Sequence, residues 1–135
     1  MKKILALVLF LGLIGGYLGY KMYNKPFADL QKKPADFVLA PAALLSAFTT
    51  DETQANQTYL DKTIELRGVI KSISLEDGTT RITLDAQDAM GAIICDMDQN
   101  QKPSSSALQQ GQEITLRGVC SGYLMDVVLI RCIII

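Results

Sequence analysis

Four carboxylates in the middle of this 135-residue chain, Asp85, Asp88, Asp96 and Asp98, are the first residues to invite a chemical reading, because hard cations take carboxylate oxygens. No Asp-x-Asp-x-Asp-Gly loop frames them, and aspartates at turns and strand edges have the simpler use of solubility and local hydrogen bonding. The chain has no histidine, which excludes a Ser-His-Asp or Cys-His centre and removes the commonest metal ligand at neutral pH. Its three cysteines, Cys95, Cys120 and Cys132, include no C-x-x-C pair, and no activating base or cationic pocket is visible for Cys95. They allow either one disulfide and a free thiol or three buried apolar thiols. The expectation is a non-enzymatic chain with no cofactor and no metal site.

Binding chemistry is better represented. Arg67, Lys71, Arg81, Arg117 and Arg131 would make a basic stripe, with the hydroxyl of Thr83 among them and Tyr123 as the one aromatic ring beyond Asp61. Against this, Glu65, Asp85, Asp96 and Asp98 stand beside these residues, and the net charge of −1 gives no overall attraction to a polyanion. A solvated charged surface is the favoured reading and a phosphate track the rival.

The elements that must position these residues begin with an apolar segment. After Met1-Lys2-Lys3, residues 4–20 carry no charge, a length at the lower limit for a bilayer-spanning helix. Small residues at −3 and −1 are lacking, since Gly19 puts Tyr17 at −3 and Gly16 puts Ile14 there, so an uncleaved signal anchor is expected over 1–20. Lys21, Lys25, Lys32 and Lys33 on the far flank oppose Lys2 and Lys3 in the positive-inside count. A lysine pair running straight into an apolar core is nevertheless the usual start of an export signal, so the expectation is a single-pass inner-membrane protein with a periplasmic domain. Tyr17, Tyr20 and Tyr23 fit an interfacial belt, and Gly12 with Gly16 gives a spacing through which two such helices would dimerise. Residues 21–36, with four lysines, Pro26 and Pro34, read as a tether.

One domain is expected over 37–135, since roughly 100 residues suit a single core. Over 41–60, Pro41 suits a first helical turn and Leu44, Leu45, Phe48, Ala55 and Tyr59 recur at spacings near three and four; Thr49-Thr50-Asp51 offers a fresh N-cap that would divide the stripe into two short helices. From Asp61 the period becomes two. Ile64-Glu-Leu-Arg-Gly-Val-Ile70 is nearly repeated as Ile114-Thr-Leu-Arg-Gly-Val-Cys120, each with a glycine, Gly68 or Gly118, where a strand must bend or bulge. Between the copies lie a turn at Glu76-Asp77-Gly78, strands over 81–85 and 92–96, and a short capped helix over 105–111. A fifth strand, 127–135, follows the turn 122–126.

The order of five strands in 61–135, with a helix between the third and fourth, is that of the OB fold, a Greek-key barrel. The expected class is therefore all-β with a short N-terminal helical segment. The chain from about Leu44 to Ile133 also resembles the bacterial tRNA_anti-like family of small anchored or lipoprotein OB domains. The resemblance rests on Leu44, Phe48, Ala55-Asn56 and Tyr59, then Lys62-x-Ile-x-Leu-x-Gly68, Gly111-x-x-Ile-x-Leu-x-Gly-x-Cys-x-Gly122 and Asp126-Val-Val-Leu129 with Cys132. It implies the fold and supplies no catalytic residue. In such a barrel the third and fifth strands are neighbours, which makes Cys95 with Cys132 the expected bridge. OB folds grip single strands on strands two and three, and here strand two offers Arg81, Thr83 and Asp85 while strand three has no aromatic. The expectation is a membrane-anchored, non-catalytic module for a protein, peptide or envelope polymer; the alternative, which the family name implies, is a single-stranded nucleic-acid or tRNA binder.

Overall fold

The computed structural model of the chain describes residues 1–24, 29–88, 90–100 and 107–135. Helix α1, Lys2–Tyr23, is long and apolar enough to cross a membrane and buries none of its residues against the rest of the chain. The two helices α2, Pro41–Thr50, and α3, Glu52–Tyr59, are separate because Asp51 adopts an extended backbone between them and its carboxylate accepts the Gln54 N–H at 3.1 Å.

The strands are β1, Phe37–Leu39; β2, Thr63–Glu76; β3, Thr79–Leu84; β4, Ile93–Met97; β5, Glu113–Leu124; and β6, Asp126–Ile134. They run in the order β1-β2-β3-β4-β6-β5, and β5 also pairs with β2, which closes β2 to β6 into a five-stranded barrel. The parallel pairing of β4 with β6 and the division of β2 between β5 (63–69) and β3 (70–76) complete the OB arrangement. The helix expected over 105–111 lies outside the described residues up to 106, and 107–111 form turns.

Both repeat glycines are needed for close approach. A Cβ at Gly68 would stand 2.6 Å from Cγ of Pro41, so α2 can lie against β2 only because that side chain is absent. A Cβ at Gly118 would stand 2.5 Å from Sγ of Cys132. Opposite Gly118, β6 carries a bulge in which Arg131 takes a left-handed backbone with φ of 53°. The inward residues of every strand meet Leu44, Leu45 and Phe48 of α2 in one core, so α2 plugs an end of the barrel.

The tether expected over 21–36 is fastened to the barrel in its second half. Leu30 is 6 % exposed, the Asp36 carboxylate accepts the Thr63 N–H at 2.8 Å, and the carbonyls of Leu30 and Lys33 accept from Arg117 at 2.8 and 2.9 Å. Proline and lysine content signals a lack of helix or strand, and says nothing about docking.

Candidate functional site

Strand register decides what the expected basic stripe becomes. Arg81 on β3 faces Asp96 on β4, and the guanidinium holds that carboxylate through Nε at 2.6 Å and Nη2 at 3.2 Å while Nη1 reaches Glu76 at 2.5 Å. The hydrogen bond to Asp96 is the largest influence raising the Arg81 pKa above its ordinary value. Arg117 on β5 faces Glu65 on β2 and is bound to it at 2.7 Å, with its remaining donor capacity given to the Leu30 and Lys33 carbonyls. Arg67, one rung away, pairs with Glu113. Three of the five cations are thus committed to carboxylates, and they occupy two different strand pairs, not one track.

The remaining members are dispersed. Lys71 is exposed at the irregularity in β2 between Ile70 and Ser72, Thr83 is half-buried between β2 and β4, and Arg131 is half-buried in the β6 bulge. Tyr123 stacks on Phe48 with ring centroids 5.6 Å apart and an interplanar angle of 27°. One of its faces therefore belongs to the core.

The four aspartates hold the chain locally. Asp85, Asp88 and Asp98 accept backbone N–H groups of Gln87, Met90 and Asn100, and Asp96 is taken by Arg81. Among the described residues no group of acidic or cysteine side chains is arranged to hold a metal ion. Cys95, Cys120 and Cys132 are free thiols, all fully buried. Cys95 and Cys132 touch across β4 and β6, where the sequence led to a bridge; the hydrogen bond between them, with burial, pushes the Cys132 pKa well up. Burial alone is the chief cause of the rise at Cys120.

One concavity has no counterpart in the sequence pattern. It is a groove of about 610 Å³ where β1, the start of α2 and the bend of β2 meet. Val38, Leu39, Pro41 and Val69 supply apolar walls, and Arg67, Glu113, Asp85 and Gln87 form a mixed polar rim. Val38 is 70 % exposed, and among the described residues β1 pairs on one side only, with β2, which leaves its other edge for pairing. The hint in the sequence was the short apolar run Phe37-Val38-Leu39 ahead of Pro41, too brief to distinguish from the end of a tether.

The chain matches the tRNA_anti-like family over residues 1–134. Among solved structures it is similar to one named as a putative nucleic acid-binding lipoprotein from Klebsiella pneumoniae, at 21 % identity and a TM-score of 0.61, with 73 % of this chain and 92 % of that one covered. It is also similar to the S. pombe Stn1-Ten1 complex at 18 % identity and a TM-score of 0.42, covering 54 % of this chain and 57 % of that one. No curated protein matches it.

Proposed function

The chain belongs to the tRNA_anti-like family, and from that premise we propose that it is a non-catalytic OB module, anchored in the inner membrane by an uncleaved α1 with its barrel in the periplasm, that binds a protein or peptide segment. The groove beside β1 carries this reading. It offers an apolar wall, an unpaired strand edge and a rim in which positive and negative charges are balanced, which suits an extended polypeptide adding its backbone to β1.

Single-stranded nucleic acid is the second reading, favoured by the name of the Klebsiella lipoprotein. It asks for free cations and open rings, whereas Arg67, Arg81 and Arg117 are paired and Tyr123 is stacked on Phe48. Two measurements on the full chain, the first in lipid nanodiscs and the second in cells, separate the readings. Fluorescent oligo-dT and oligo-U are expected not to bind at low salt; micromolar binding that weakens steeply with salt would refute the proposal. A photo-crosslinking residue in place of Val38 is expected to give one discrete polypeptide adduct in cells that disappears when Val69→Lys fills the groove.

A further inference from the structure

Three large apolar side chains project at the end of the barrel where β3 leads to β4 and β5 turns into β6. Met90, Leu124 and Met125 are 81 %, 89 % and 71 % exposed. The fold brings them together and braces them. Gly91 lies so near the β5–β6 turn that a Cβ there would stand 2.8 Å from the Met125 carbonyl. The Asp126 carboxylate accepts the Ala92 N–H at 2.8 Å, and the Val127 N–H donates to the Ala92 carbonyl. The Asp88 carboxylate accepts the Met90 N–H, also at 2.8 Å. These side chains contribute nothing to the core, and exposed apolar groups gathered at one end of a fold mark a contact surface.

The chain itself indicates what lies against them. Helix α1 ends at Tyr23, and from Asp29 onward the polypeptide is already strapped to the barrel through Leu30, Lys33 and Asp36. The six steps of chain from Tyr23 to Asp29 span at most roughly 22 Å when fully extended. Arg117, which holds the strap, and Leu124 lie on the same strand, roughly 23 Å apart at the rise of a β-strand. With α1 in a bilayer, the barrel is confined within about its own diameter of the lipid surface, and the projecting end is within reach of it.

We propose that this end of the barrel rests on the bilayer, with Met90, Leu124 and Met125 seated among the lipid headgroups as a second membrane contact. The proposal rests on reading α1 as the anchor. Neither loop, 85–92 nor 122–126, contains a lysine or arginine, and Asp85, Asp88 and Asp126 are each turned onto a backbone N–H, so the contact draws on the apolar side chains and gains nothing from anionic lipid. It would also fix which barrel surfaces face away from the membrane.

The test uses the full chain in phosphatidylcholine nanodiscs containing nitroxide lipids, with a nitrobenzoxadiazole label on one introduced cysteine. The native thiols, fully buried, do not compete. Leu9→Cys reports the anchor, Met125→Cys the proposed contact, and Ser74→Cys the far end of β2, since β5 runs antiparallel to β2 and ends near its start. Strong quenching at 9 and 125 but not at 74, unchanged in 1 M salt and lost from 125 when Met90→Glu and Leu124→Glu are added, is the expected result. Quenching at 9 with position 125 no different from 74 overturns the contact and leaves the anchor standing. Quenching at 125 that survives the two glutamates overturns the role of these side chains. A label at 9 that escapes quenching removes the anchor and the contact with it.

Discussion

Replacing Arg117 with methionine keeps the side chain's apolar stem and removes its charge and donors. Its guanidinium joins three parts of the chain: the Glu65 carboxylate on β2 and the carbonyls of Leu30 and Lys33 in the strap. The side chains of Arg117 and Glu65 are 14 % and 22 % exposed, between the regime where an ion pair is worth almost nothing and the one where breaking it strands a buried charge. Hydrogen bonds to charged groups contribute about 1.5–3 kcal/mol each, and partial screening brings the expected total loss to about 2–3 kcal/mol. For a domain of this size that is a fall in Tm on the order of 10–20 °C. The strap is the more specific readout. Trypsin should cut between Lys32 and Lys33 much faster in Arg117→Met, the bond after Lys33 being protected by Pro34, while Glu65→Gln added to it recovers part of the Tm by removing the orphaned carboxylate and leaves the strap cleavable. A Tm within about 2 °C of the parent, together with an unchanged tryptic rate, would mean that Arg117 holds nothing.

Gly118→Ala should destabilise the barrel, because overpacking costs roughly 1–3 kcal/mol against a gain of about 0.5–1 kcal/mol from replacing a strand glycine. Adding Cys132→Ala removes the atom in the way, so denaturant midpoints should show the two changes strongly non-additive; additivity refutes the clash. Phe48→Ala empties the plug between α2 and the barrel and should cost about 3–5 kcal/mol by urea titration, and a loss under about 1 kcal/mol would show that α2 is dispensable. The thiols of Cys120 and Cys132 titrate above their ordinary 9.0 in the folded chain, so their contribution is present in full below that pH and is lost as pH rises past it. Stability should therefore fall above pH 9.0 by up to about 1.4 kcal/mol per pH unit for each thiol, and the fall should shrink in Cys120→Ala with Cys132→Ala.

The barrel was legible in the sequence because its signals are local. Alternation along 64–70 and 114–120 names the buried faces, the glycines mark where neighbours crowd in, and Asp51 divides the helices. The strap and the groove were hidden because each is made by one residue meeting a distant one. Arg117 lies 87 positions from Leu30 and 52 from Glu65, and no local pattern around any of the three announces the meeting. The stacking of Tyr123 was hidden for the same reason: its partner, Phe48, lies in the first helical segment of the domain.

Charge pairing also decides how the arginines bear on function. An arginine counted in a sequence is a prospective phosphate ligand, but Arg81 already donates to two carboxylates and Arg117 to one carboxylate and two carbonyls. A phosphate taking their place would gain one charge-assisted contact while leaving Asp96, Glu76 or Glu65 unpaired beside it, so the exchange replaces attraction with like-charge repulsion at short range. Affinity for a polyanion grows with the number of cations that can neutralise phosphates, and cations already neutralised by carboxylates of the same fold add little to it. An extended peptide makes no such demand. It needs a strand edge, an apolar wall and a balanced rim, and these adjoin one another at Val38, Val69 and the Arg67–Glu113 pair.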